Sequence, residues 1–268
     1  IMALNFAKAF GAEVVIVPKK DEQDAYEAEA RKIYDNMSFF YPKMRIVPFA
    51  ESNNVEAEDI IGSLKAGTLH NSVWDIFAGC SLTPNEDTDE LPEYPGLSDK
   101  RNILFVPQKL VSDGECGISA EQQSLPLAVF DFLKKETGAN LVLGQHFHKV
   151  NDLEKVQKLA DEFRLYVPGM NEHPEVFGIR GVQHKMYYNM YAQLAGSVGI
   201  AGTHTWFMLT VFPWIPQVIL FNNHGVERWK AIEKAYRKRG YNIRCIGFDE
   251  NSSLKQLAKE IKKAFEQL

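Results

Sequence analysis

Ser197-Val198-Gly199-Ile200-Ala201 runs straight into Gly202-Thr203-His204-Thr205, and Trp206-Phe207-Met208-Leu209-Thr210-Val211-Phe212 follows with little loss of apolar character. After Pro213 and Pro216 the chain resumes a second compact apolar run, Gln217-Val218-Ile219-Leu220-Phe221. Short continuous apolar runs bounded by turn residues mark strands buried on both faces, and a longer one between them marks a buried helix. The stretch therefore reads strand, turn, helix, strand. That order builds a right-handed parallel βαβ unit.

The same rhythm extends outward. Toward the carboxyl end a helix is expected over 226–238 with Asn223 as its N-cap, then a strand over 242–246 and a terminal helix over 254–267. Toward the amino end, strands are expected at 102–107, 140–144 and 164–167. Helices are expected at 121–136, 152–163 and 185–195. In the first hundred residues a helix over 2–10 closes at Gly11. Strands over 13–17, 45–49 and 72–78 then alternate with helices over 21–36 and 56–64. The strand expected at 72–78 contains Asp75 and ends at Gly79-Cys80-Ser81, the kind of place where ligands approach parallel sheets. Because the chain opens inside a helix, a strand and turn are expected to precede Ile1.

Between the two halves, residues 82–101 are rich in Pro, Asp, Glu, Gly and Ser and read as a linker. The expected organisation is α/β with two Rossmann-like domains, their parallel sheets facing across a cleft. They would span 1–98 and 99–250, with a C-terminal helix in 251–268.

Composition narrows the function. Of 268 residues 45% are hydrophobic and 24% charged, values of a globular chain. The net charge of −5 offers no general attraction to nucleic acid or anionic lipid, so an anionic ligand needs a local site. Cys80, Cys116 and Cys245 are scattered without a CxxC, which suits a reducing cytoplasm and provides neither a disulfide framework nor a zinc site. No run approaches the ~20 apolar residues of a membrane span.

The turn at Gly202-Thr203-His204-Thr205 is the expected local site. A strand leading into a helix start gathers exposed N–H groups and the positive end of the helix dipole at one point. Gly202 admits a ligand close to the backbone, Thr203 and Thr205 offer hydroxyls, and His204 offers a proton or a charge-assisted bond. Capping of a buried helix by Thr203 accounts for the same four residues without any ligand.

The segment from Gly181 through Leu194-Ala195-Gly196-Ser197, Val198-Gly199, Thr203-His204-Thr205 and Pro216-Gln217-Val218-Ile219-Leu220-Phe221 resembles the donor half of GT-B glycosyltransferases. Within that group it is similar to the heptosyltransferases of lipopolysaccharide synthesis. The resemblance extends as a scattered pattern over most of the chain. It implies transfer of a sugar from a nucleotide-diphosphate sugar to a glycan or glycolipid acceptor, without a metal or other cofactor. It also implies a cytoplasmic protein at the inner face of the membrane, with room for peripheral membrane contact and no nucleic-acid partner.

The donor-binding residues it implies are Gly202, Thr203, His204, Thr205 and Lys109, and Gln145 and His184 are further candidates beside them. The family's general base falls before Ile1. The family also carries an acidic residue and Ser/Thr-Gly at the turn, and a His within the helix. Trp206-Phe207-Met208 stand there instead, so the pyrophosphate contacts or donor specificity would differ. Two other functions share these features: another GT-B enzyme such as a sugar-nucleotide epimerase, and a non-catalytic nucleotide-sugar-binding protein. His146 and His148 in one loop read more simply as surface histidines. The loop at 170–175 fits contact with the base or ribose and a solvated loop equally well. Asp113 and Glu115 could each serve as an acid without being singled out. Tyr187, Tyr188 and Tyr191, at helical spacing, read as packing.

Overall fold

The computed structural model describes residues 2–17, 23–48, 50–51, 73–106, 134–136, 138–144, 157, 160–161, 166, 183–222, 225–248 and 253–266. Expected elements at 56–64 and 121–133, and most of those at 152–163 and 164–167, lie outside them.

Two parallel sheets carry the fold. In the smaller, β1 (Val14–Ile16) pairs with β2 (Met44–Ile46), preceded by α1 (Met2–Phe10) and connected through α2 (Gln23–Met37). The larger contains β3 (Asn102–Val106), β4 (Asn140–Leu143), β5 (Leu194–Ile200), β6 (Gln217–Asn222) and β7 (Ile243–Phe248), in the order β4-β3-β5-β6-β7. An isolated parallel bridge from Val142 to Tyr166 adds the next chain segment outside β4. Tyr166-β4-β3-β5-β6-β7 is the order of a doubly wound nucleotide-binding sheet, so the large sheet is compatible with a Rossmann-like fold. Its connectivity reverses between β3 and β5.

Period-two alternation divides the larger sheet's side chains cleanly. Ile103, Phe105, Leu141, Leu143, Val198, Val218 and Leu220 face one side, covered by α8 (Leu254–Glu266) through Leu257, Ile261 and Phe265. Those three, with Ala258 and Ala264, form a single stripe at helical spacing. Leu104, Val106 and Val142 face the opposite side, covered by α6 (Thr203–Val211) and the short helices α4 (Gln183–Met186) and α5 (Tyr188–Ala192). On that side Ile219, Phe221 and Ile243 meet α7 (Val226–Lys238) and α3 (Val73–Gly79).

The strand expected over 72–78 is α3, a helix. A strand would place Trp74, Ile76 and Ala78 on one face. Instead Trp74, Phe77 and Ala78 are buried at three- and four-residue spacing while Ile76 is 39% exposed. Asp75 is therefore a half-exposed helix residue whose carboxylate lies 3.7 Å from the Lys238 ammonium and whose carbonyl accepts from Arg239 at 3.0 Å. Gly79-Cys80-Ser81 ends a helix rather than a strand, so the ligand approach expected there loses its basis. Strand β5 also begins three residues earlier than expected, which shortens the helix expected over 185–195 into α4 and α5. The N-cap of α7 is Gly225, at φ 85°, and not Asn223; a left-handed conformation of that kind favours glycine.

The segment expected to be a linker follows an irregular path, yet it is anchored. Leu82, Leu91, Tyr94 and Leu97 are buried in the cluster that contains Leu4, Phe39 and Phe40 from the amino side and Tyr191, Phe207 and Phe212 from the carboxyl side. No helix among the described residues is long and apolar enough to cross a membrane.

Candidate functional site

The connection from β5 to α6 lies at the carboxyl edge of the larger sheet, where its connectivity reverses. Beside it, β3 ends at Val106. Two neighbouring strands whose chains leave in opposite lateral directions open a crevice outside their carboxyl ends. The glycine of β5 that pairs with Val106 brings the two strand ends close: a Cβ built on Gly199 would lie 2.6 Å from Val106 Cβ.

Gly202 is the N-cap of α6 and is extended, with φ −172° and ψ −163°. Any residue adopts that conformation. A Cβ at this position would meet only the Ile200 carbonyl, at an ordinary 3.7 Å. Neither backbone strain nor the neighbouring protein therefore demands glycine there. Trp206 N–H donates to Gly202 O at 3.1 Å, and the N–H groups of the preceding turn lack intrahelical acceptors, as at every helix start.

The side chains of Thr205 and His204 are directed into the protein. Thr205, 5% exposed, donates its hydroxyl to the Ile200 carbonyl at 3.1 Å, tying the first turn of α6 to the last residue of β5. His204, 4% exposed, shares a 2.7 Å hydrogen bond through Nδ1 with the Tyr191 hydroxyl of α5. Its ring lies 5.9 Å from that of His184, which stacks on Phe207 at 4.3 Å with the planes 6° apart. Tyr191 is fully buried, and burial, followed by the nearby Tyr187 and Tyr94, holds its hydroxyl well above the usual tyrosine range. It stays protonated and available to His204.

The structure thus brings together five of the seven expected donor-binding residues: Gly202, Thr203, His204, Thr205 and His184. Lys109 and Gln145 lie outside the described residues, as do His146, His148, Asp113 and Glu115. His184 lies within α4, in an aromatic enclosure, and does not provide the acceptor for the N–H of the next residue in that helix. That role falls to Asn36, whose Oδ1 accepts the Lys185 N–H at 2.7 Å.

Comparison with protein-family models, curated proteins and solved structures finds no match. Two features of the site were not legible in the sequence. Tyr191 was read as packing, which it is, but its hydrogen bond to a residue thirteen positions on has no local signature. The other is a stack of rings beside the turn. Trp206 lies between Trp74 at 5.8 Å and Trp229 at 5.4 Å, with planes 17° and 26° apart, and Trp229 stacks on Phe221 at 6.1 Å. The Trp206 indole is thus engaged with two other indoles of the protein. The Arg228 guanidinium lies 5.5 Å from the Trp229 ring, a cation–π contact at the start of α7.

Proposed function

We propose that the chain is a glycosyltransferase of the GT-B type, heptosyltransferase-like. It would move a sugar from a nucleotide-diphosphate sugar to a glycan or glycolipid acceptor, with the diphosphate seated at the start of α6. The observation that carries this is the coincidence of three things at one place: a parallel-sheet reversal, a helix start, and a glycine that the surrounding protein does not require. A residue without a side chain, placed where none of the described residues crowds it, is explained in this reading by something outside the protein that must come close.

Because His204 and Thr205 are engaged by Tyr191 and Ile200, the phosphates would be held by backbone N–H groups, the helix dipole and Thr203. Preorganised donors of that kind stabilise the two charges that develop as a nucleoside diphosphate departs. Lys109, three residues beyond the end of β3 in the sequence, would be the cation for the same group. In this reading residues 1–98 recognise the acceptor across a cleft and residues 99–250 hold the donor.

The test exploits the tolerance at Gly202. In Gly202→Val the added Cβ meets no described atom closer than the Ile200 carbonyl at 3.7 Å, and the side chain occupies the space a phosphate would need. Titration of ADP, UDP and GDP followed by calorimetry should show saturable binding of at least one to the wild type. The variant should lose about tenfold or more in affinity with its thermal midpoint unchanged. Equal binding to both proteins overturns the site. Release of sugar from the matching nucleotide-sugar then separates a transferase from a protein that only binds.

A further inference from the structure

A second concave surface lies across α4 from this turn. It encloses about 590 Å³ and is lined by Tyr34, Asp35 and Ser38 at the end of α2, by Asn85 and Glu86, and by Lys185 of α4. That volume is within the range of roughly 300–1,000 Å³ typical of small-ligand sites. The wall is built from three segments far apart in sequence, and each is fixed to the others. The Asn85 amide donates to the Ser38 and Phe39 carbonyls at 3.2 and 3.3 Å, and its N–H donates to Phe39 O at 2.8 Å. Lys185 is held by Glu86 at 2.7 Å and lies 5.0 Å from the Phe39 ring centroid, while its N–H is fixed by Asn36. Such cross-bracing preorganises a polar surface before any ligand arrives.

The chemistry of the wall selects the ligand. Glu86 neutralises Lys185, which leaves Asp35 as the remaining charge among the described lining residues, and that charge does not attract an anion. One uncompensated carboxylate is also too little for a metal ion, and among the described residues no cluster of acidic, His or Cys side chains is placed to hold one. What remains is acceptor-rich: the Asp35 carboxylate, the Asn85 amide oxygen, and the Tyr34 and Ser38 hydroxyls. Tyr34 and Pro42 add short apolar faces. Several acceptors beside a ring suit a molecule that presents hydroxyl donors along its edge and C–H groups on its faces.

We propose that this groove binds a neutral saccharide. The inference rests on the glycosyltransferase reading only for the role of that saccharide, which is the acceptor. Helix α4 joins the two places: Lys185 lines the groove while the preceding residue, His184, lies against His204 at the start of α6.

The experiment uses the whole chain and a panel of neutral mono- and disaccharides, with putrescine and inorganic phosphate as cationic and anionic probes, followed by calorimetry or ligand-observed NMR. At least one saccharide should bind saturably, and Asp35→Asn and Tyr34→Ala should each weaken it about tenfold. Asp35 is exposed and bonded to none of the described residues, so Asp35→Asn keeps the fold. No saturable saccharide binding, binding indifferent to both variants, or preference for putrescine or phosphate overturns the proposal. Nucleoside diphosphate binding by the same sample, abolished by Gly202→Val, reports on the donor site independently, so either site can fail alone.

Discussion

At the scale of single residues, the informative positions are those where a small change meets a rigid neighbour. Tyr191 and His204 share one hydrogen bond in the interior, and removing the hydroxyl leaves an imidazole nitrogen without its 2.7 Å partner. Tyr191→Phe should destabilise the chain by about 1–3 kcal/mol, read from the urea midpoint at neutral pH. A stability unchanged from wild type would mean that the bond contributes nothing. The buried hydroxyls also set a pH limit. Burial raises the Tyr191 and Tyr236 hydroxyls and the Cys245 thiol above their ordinary ranges. Above the unfolded values, near about 10 for tyrosine and about 8.5 for cysteine, the unfolded chain has released protons that the folded chain still holds. The unfolded state then binds fewer protons, so stability falls as pH rises, and the contribution is fully present below that range. Urea midpoints should therefore hold steady through neutral pH and drop as the solution is made alkaline. Tyr236→Phe, which also loses a 3.0 Å bond to Leu209 O, should flatten that drop.

At the scale of elements, α6 decides most. Most of its described side chains are buried, among α1, α3, α5 and the sheet. Phe207 is at its centre, 0% exposed and in ring contact with Phe40, His184, Tyr191 and Phe212. Phe207→Ala should cost about 3–5 kcal/mol, measured by denaturant unfolding, through the cavity it leaves. Strand β5 has a different vulnerability. Gly199→Ala places a methyl 2.6 Å from Val106 Cβ and should cost about 1–3 kcal/mol, whereas Gly202→Ala, with nothing closer than 3.7 Å, should be near neutral. The contrast separates a glycine the fold requires from one it does not. The order strand, turn, α6, strand was legible in the sequence because its apolar runs differ in length and are bounded by glycine, proline and polar turn residues. Helix α3 was not. In seven residues with Val, Trp, Ile and Phe, β-branched and aromatic content suggests a strand, and only the buried spacing of Trp74, Phe77 and Ala78 reveals the helix. The turn itself was legible as a place, because a glycine between strand and helix is a local signal. The inward direction of His204 and Thr205 was not, since it depends on Tyr191 and on the end of β5.

At the scale of the molecule, the decisive feature is the cluster shared between the two halves of the chain. Leu4 and Ala7 of α1, Phe39 to Tyr41 after α2, and Leu82, Leu91, Tyr94 and Leu97 all bury against α5, α6 and the near face of β3. A composition rich in Pro, Asp and Gly over 82–101 hides this. The four apolar residues there are too widely spaced to show a period, yet each is no more than 7% exposed. If residues 1–98 had a core of their own, they would unfold separately. A core drawn from both sides predicts otherwise. Trp74, Trp206 and Trp229 stack across α3, α6 and α7, so tryptophan fluorescence follows the packing of the amino-side helix on the larger sheet. Far-ultraviolet circular dichroism follows all helices at once. In urea the two signals should fall together in one transition, and Leu97→Ala, far from any tryptophan stack, should lower both midpoints equally. Two separated transitions, with fluorescence lost first, would mean that the amino-side elements only rest on the sheet. The turn at the start of α6 would then lie within a carboxyl-side body that keeps its fold after the covering helices have left.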